Sequence, residues 1–208
     1  YDIRFLDMSA EDFTKYVSFS GILTETETIG IFQTFCGSDE TDLKWKKQGP
    51  RGPAKIVGFS RFEVTDSRAW GYGGKSDALN LTVNKAVLFH GVRLFGDAKC
   101  SQYTVNFEVK DKNVNVTGTY TSERDKDGVW GYDVMLLKPI SVKPNEEFTV
   151  VATIQGPTSH GGVNGKSSVN VDGTVVTFQN TDYGSLGLSS NGTDKTHGQF
   201  YKIFLSNC

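Results

Sequence analysis

"RAWGYGGKSDALNLTVNKAVLFHGVRLFG", residues 68–96, decides how this chain is read. A glycine-rich turn leads into an alternating run, and then into an apolar run with His90 at its middle. Val83, Val87 and Phe89 share one parity, and Leu88, His90, Val92 and Leu94 share the other. Apolar residues on both faces mark a central strand. Gly91 inside that strand predicts a bulge or a close backbone approach. His90 has no chemical partner nearby in sequence, so it reads first as a packed strand residue satisfied by one hydrogen bond. The competing reading is a pH-sensitive or partner-binding group.

The same texture continues outward from this stretch. From Phe59 on, short runs rich in Val, Phe, Thr and Tyr are broken by Gly, Asn and Asp. They predict strands near 59–64, 78–83, 86–95, 103–110, 113–120, 130–136, 139–142, 147–154, 167–171, 174–178 and 200–205. "DKN" at 111–113 and "VDGTV" at 171–175 read as hairpin turns. No long helical period interrupts them, so the expected fold class is all-β: an antiparallel, jelly-roll-like β-sandwich of about 11 strands preceded by two short α-helices. "AWGYGG" (69–74) and "VWGYDV" (129–134) hint at a Trp-Gly-Tyr corner used twice.

The first forty residues differ. Ser9 is a good N-cap with Asp12 three residues on, and Thr24 with Glu27 makes a capping box. Two helices are predicted, over about 10–20 and about 25–36. Each is too short to stand alone, so they must pack, through Phe13, Ile29, Phe32 and Phe35. Residues 37–57 carry Gly, Pro and charge without a period and read as a linker.

The chain has 208 residues, 37% of them hydrophobic, which suffices for one compact domain with a small appendage. A formal net charge of -2 asks for neither nucleic acid nor an anionic membrane. No apolar run approaches the roughly 20 residues of a membrane helix, and no signal-peptide core is visible at the start. Cys36, Cys100 and Cys208 are widely spaced and form neither a disulfide framework nor, with the three histidines, a metal-ligand spacing. That pattern suggests a reducing compartment. Asn80, Asn115 and Asn191 begin N-x-[ST] triplets, which pull weakly the other way.

Candidate chemistry is thin. Asp125 and Asp127, and Glu146 and Glu147, are close acidic pairs in hydrophilic turn sequence, where solvated carboxylates are the simpler reading than a glycosidase pair. Ser159 and His160 are neighbours, lacking the strand-to-helix elbow of a nucleophile. Cys100 has no activating base nearby and reads as a half-buried loop thiol. Only Gly74-Lys75-Ser76 of "GYGGKSD" fits a phosphate loop, and a strand follows it instead of a helix. No catalytic residue, metal or cofactor is expected. The aromatics Trp70, Tyr72, Trp130, Tyr132 and Tyr183 fall at predicted loop edges, where core plugs and ligand rims both sit.

Three stretches carry a family resemblance. Residues 68–96 resemble the opening signature of the PHR domain, named for the PAM/Highwire/RPM ubiquitin ligases. "LKPISVKPNEEFTVVATIQGPTSHGG" (137–162) and "NGTDKTHGQFYKIFL" (191–205) resemble its second and closing signatures. "IRFLDMSAEDFTKYVSFSGILTETETIGIFQTF" resembles the end of a BACK domain. The resemblance implies a C-terminal end of a BACK-like domain at 1–36, a linker at 37–57 and a PHR β-sandwich at 58–208. It implies an adaptor whose BTB domain, preceding residue 1, engages a cullin, while the PHR domain holds the protein to be ubiquitinated. The expected place of action is the cytoplasm or the nucleus. His90 and Arg93 depart from the family pattern and make that face more polar.

The segments "WGYGG" (70–74), "PTSHGG" (157–162) and "NGTDKTHG" (191–198) are the candidate partner surface, with Trp70, Tyr72, Ser159, His160, Asn191 and His197 as candidate partner-binding residues. Turns that are hard to build would account for the same motifs, through glycine at positive φ and Asn191 bonding to backbone. A carbohydrate-binding lectin-like sandwich is the main rival; a jelly-roll hydrolase with convergent carboxylates is the second.

Overall fold

A computed structural model of the protein describes residues 5–37 and 55–207. The chain divides into two compact units, Tyr1–Gly52 and Pro53–Cys208.

The first unit holds α1 (Ala10–Tyr16) and α2 (Glu25–Phe35). Ser9 caps α1 by accepting from Asp12 N at 3.0 Å. Thr24 and Glu27 form the predicted capping box on α2, at 3.3 and 2.8 Å. The helix expected over 10–20 stops at Tyr16. Ser18 and Ser20 donate to the carbonyls of Thr14 and Val17, the local competition that makes serine a weak helix continuer. Phe13 is buried, and its ring meets Phe5, Phe32 and Phe35 edge-on. Ile29 is a correction: it is exposed, and Ile31 takes the buried place on α2. Residues 38–54, most of the expected linker, lie outside the described residues.

The second unit is an all-β sandwich. Its strands are β1 (Val57–Ser60), β2 (Phe62–Trp70), β3 (Ser76–Val83), β4 (Val87–Phe95), β5 (Gln102–Val109), β6 (Val114–Thr121), β7 (Glu123–Arg124), β8 (Trp130–Val142), β9 (Phe148–Gln155), β10 (Ser159–Gly165), β11 (Ser168–Val171), β12 (Thr174–Gln179) and β13 (Phe200–Asn207). One sheet has the order β1-β13-β4-β8-β7, the second β11-β12-β3-β9-β5-β6, and β10-β2 form a small third. All the ladders are antiparallel. Leu79, Leu81, Phe107, Val150, Ile154 and Phe178 of the six-stranded sheet face Phe89, Val92, Leu94, Val134 and Ile203 of the five-stranded one in a single core.

Gly91 makes the predicted bulge. Its φ is +142, and the pairing of β4 with β8 shifts between Phe89 and Gly91. The extra residue switches parity, so Val92 and Leu94 join Phe89 in the core rather than sharing a face with His90. The shift also explains why the two runs at 130–136 and 139–142 are one strand: Leu136 to Pro139 loop out of β8 opposite His90. Asp172 and Gly173, both at positive φ, turn β11 into β12, as expected for a two-residue hairpin. The stretch read as a "PTSHGG" loop is instead mostly β10, whose glycines hide a strand signal because they carry no side chain to alternate.

The segment between β12 and β13 returns alongside the part of β3 that β12 leaves unpaired. Tyr183 Oη accepts from Ala78 N at 2.8 Å and donates to Ala78 O at 3.2 Å. This return brings residues 191–199 to the end of the sandwich where β2, β3 and β10 meet.

Candidate functional site

The three signature segments converge there, on a buried hydrogen-bond knot. Tyr72 Oη donates to Ser159 Oγ at 2.7 Å and lies 3.3 Å from Gln199 Oε1. Gln199 Nε2 donates to Ser159 Oγ at 3.0 Å and to His160 O at 2.8 Å. Thr193 Oγ1 donates to Asp77 Oδ1 at 2.6 Å and accepts from Gln199 N at 3.0 Å. Asn191 Nδ2 donates to Gly71 O at 2.9 Å and to Asp77 Oδ2 at 3.1 Å. Gly162 and Gly198 exchange reciprocal backbone bonds. Gly198 sits at φ +131, and a Cβ there would lie 2.1 Å from Thr193 Oγ1, so only glycine fits.

Beneath the 191–199 loop, the buried Arg61 donates to the carbonyls of Lys195, His197 and Phe200 at 2.9, 3.0 and 3.2 Å. Asp194 Oδ1 in turn accepts from the backbone of Thr196 and His197, which closes the loop on itself. Burial pushes the Asp77 carboxyl up to about 6, against the pull of its bonds from Thr193 and Asn191. Burial also raises the Tyr72 hydroxyl far out of its usual range.

The six candidate residues therefore come together at one end of the sandwich and divide into two groups. Tyr72 and Ser159 are buried and bond to each other, so their polar atoms hold the loops in place. Trp70, His160 and Asn191 are half-buried. Asn191 spends its amide on the knot, and Gly192 passes close to the Trp70 ring. His197 is exposed. The surface this end offers is thus His160, His197, the Trp70 edge and backbone, on a rigid floor. Sequence reading missed Asp77, Thr193, Gln199 and Arg61. Their only signal was polarity beside apolar strands, as in "SDALNL" and "GQFYKIF".

Other sequence-stretch candidates are placed differently. His90 Nε2 lies 2.9 Å from Ser206 Oγ, and burial lowers its pKa, so it is the singly bonded strand histidine of the simpler reading. Tyr132 is a core residue, stacked between Tyr103 and Tyr120 at centroid distances of 5.0 and 5.7 Å. Cys100 is exposed, a correction to the half-buried thiol; it occupies a left-handed position (φ 56) just after the turn at Ala98 and Lys99. Asp125 and Asp127 are not merely solvated: both bond Lys202 Nζ, at 2.7 and 2.5 Å. Arg93 joins them, 3.7 Å from Asp125 and 2.7 Å from Asp133, and donates to the carbonyls of Glu123 and Gly131. A pair spent on a lysine this way is not a free acid-base couple. Among the described residues no cluster of three or more His, Cys, Asp or Glu is placed to hold a metal.

Two of the three sequon asparagines hold segments remote in sequence, whereas the Asn115 side chain, among the described residues, accepts only from its near neighbour Thr117, at 3.4 Å. Asn80 accepts from Thr149 and Thr181 and donates to Glu147, and Asn191 belongs to the knot. Only Asn115 is exposed.

Comparison with known proteins agrees with this architecture. BTB/POZ domain-containing protein 3 of Mus musculus is 28% identical over 208 residues, covering 98% of this chain and 38% of the relative. BTB/POZ domain-containing protein 6-B of Danio rerio is 26% identical over 207 residues, covering 98% and 42%. BTB/POZ domain-containing protein 6 of Homo sapiens is 26% identical, covering 98% and 37%. The chain thus spans well under half the length of these relatives. The sequence model of the PHR domain matches residues 60–206, from the last residue of β1 through all but the last residue of β13 and including all three converging segments, and the chain belongs to the PHR domain family.

Proposed function

We propose that this chain is the substrate-recognition part of a BTB-BACK-PHR adaptor, holding a protein for ubiquitination by a cullin-based ligase in the cytoplasm or nucleus. The observation that carries the reading is the match of residues 60–206 to the PHR domain, in a chain similar along its whole length to BTB/POZ domain-containing proteins. In this reading the helical unit is the end of a BACK-like domain, and a BTB domain elsewhere in the protein contacts the cullin. The sandwich makes and breaks no bond; it raises the local concentration of target lysines near the ligase. The partner meets the end formed by Trp70, His160 and His197, which the knot beneath keeps rigid, so little ordering entropy is lost on binding.

Immunoprecipitation of the full-length protein tests this. A cullin is expected in the complex, together with proteins whose recovery and ubiquitination both fall on His160→Ala/His197→Ala. Absence of a cullin overturns the ligase role. Unchanged recovery with the double variant overturns the loop surface.

A further inference from the structure

Sheet edges divide the described residues into protected and open. Strands β1 and β11 have four residues each, and β7 has two, both charged. Strand β2 carries the exposed charge of Glu63. The edge of β8 beyond β7 is broken by the loop-out that contains Lys138 and Pro139. Short length, charge, proline and bulges are the devices that keep a sheet edge from pairing with another chain.

Strand β6, "VNVTGTYT", has none of them. It is the last strand of the six-stranded sheet and pairs with β5 over eight residues, Val114 to Thr121, without a register shift. It contains no charge and no proline. Among the described residues, no backbone group of β6 is hydrogen-bonded to anything but β5. Its inward row, Val114, Val116 and Tyr120, is only half-buried, and the Tyr120 ring lies back over Gly118. Core-facing residues therefore remain partly open along the whole edge. Its outward row, Asn115, Thr117, Thr119 and Thr121, is exposed.

We propose that the β6 edge binds an extended segment of a partner protein by strand addition. The segment continues the six-stranded sheet through main-chain hydrogen bonds. Its chemistry follows from the rows it meets: apolar or aromatic residues over Val114, Val116 and Tyr120, alternating with small polar residues beside Thr117 and Thr119, and no charge, because β6 offers none to pair. A second copy of this chain fits less well. Eight residues at about 3.4 Å make a strip about 27 Å long. With a sheet height of about 10 Å, two rigid copies would bury about 300 Å² each there, against about 800 Å² per partner in a stable complex. A flexible segment can wrap the open rim as well. The inference stands apart from the adaptor reading, since it concerns a different surface and needs no ligase.

The test uses the purified chain and a displayed library of random decapeptides, with the enriched peptides then synthesised. Enriched sequences should alternate apolar and small polar residues. They should slow hydrogen exchange at every second amide of β6, those pointing away from β5. Thr119→Lys, which places a charge at the edge, should weaken them at least tenfold. Gln179→Lys, on β12 of the same sheet, should not, and melting temperatures should show both variants folded. No enrichment, or peptides indifferent to Thr119→Lys, overturns the proposal. A concentration-dependent dimer abolished by Thr119→Lys, with no peptide binding, assigns the edge to a second copy and overturns it also.

Discussion

Two buried polar constellations tie this sandwich together, and they solve the same problem in opposite ways. In the loop knot, Asp77 is held by neutral donors from Thr193 and Asn191. No cation is paired with it among the described residues. In the ion cluster under β7, Asp125 and Asp127 share Lys202, and Asp125 and Asp133 flank Arg93. Burial drives the Asp77 pKa up, whereas the Lys202 bond pulls that of Asp125 down in spite of burial. The lesson is that closing loops needs directional bonds, while anchoring a turn to a strand also needs charge balance. The first arrangement stores an ionisation cost at neutral pH; the second is stabilised by ionisation.

The sharpest way to break the comparison is Lys202→Met. It leaves the largely buried Asp125 without its lysine, beside the exposed Asp127, and should cost about 4 kcal/mol, read by chemical denaturation. A loss below about 1 kcal/mol would show the cluster to be solvated after all.

Next comes pH. Asp77 has a folded pKa of about 6, above its unfolded value of 3.8, so its ionisation lowers stability. That loss is absent below the unfolded value, sets in as pH rises between about 4 and 6, and reaches about 3 kcal/mol at neutral pH. Asp125, Asp97 and Asp194 are shifted down, so their contribution is present at neutral pH and lost as pH falls through the acid range. His90, lowered by burial, loses stability as pH falls below 6.5, against the Asp77 trend. The informative quantity is therefore the difference between wild type and Asp77→Asn from pH 4.5 to 7.5. It should grow in favour of Asp77→Asn as pH rises; a constant difference would mean that Asp77 does not titrate in that window.

Smaller effects separate floor from surface within the knot. Tyr72→Phe removes the bond to Ser159 and should cost about 1.5 kcal/mol. His197→Ala, exposed, should stay within about 0.5 kcal/mol. If His197→Ala melted the protein as readily as Tyr72→Phe, the division between buried floor and open surface would be wrong.

The fold was largely legible because alternating runs and turn residues report directly on a half-buried strand. Both capping motifs and the Asp172-Gly173 hairpin came from local chemistry of this kind. What was lost locally was lost for physical reasons. Strand β10 is nearly half glycine and shows no alternation. Ile29 and Ile31 are equally apolar, and only the partner surface decides which is buried.

For the candidate site, the sequence by itself marked three segments, through their glycines and polar residues and through the family likeness they carry. Only the tertiary structure decided what they do. Tyr72, Ser159 and Gln199, like Asp77 and Thr193, are remote in sequence, and no local pattern encodes that their side chains bond to one another. The acids at 125 and 127 read as solvated because their partner, Lys202, is 75 residues or more away. Hydrophobic periodicity is a property of neighbours along the chain. A buried hydrogen bond belongs to groups brought together only when the chain has closed, and so the sequence determined the layers while the fold decided the knot.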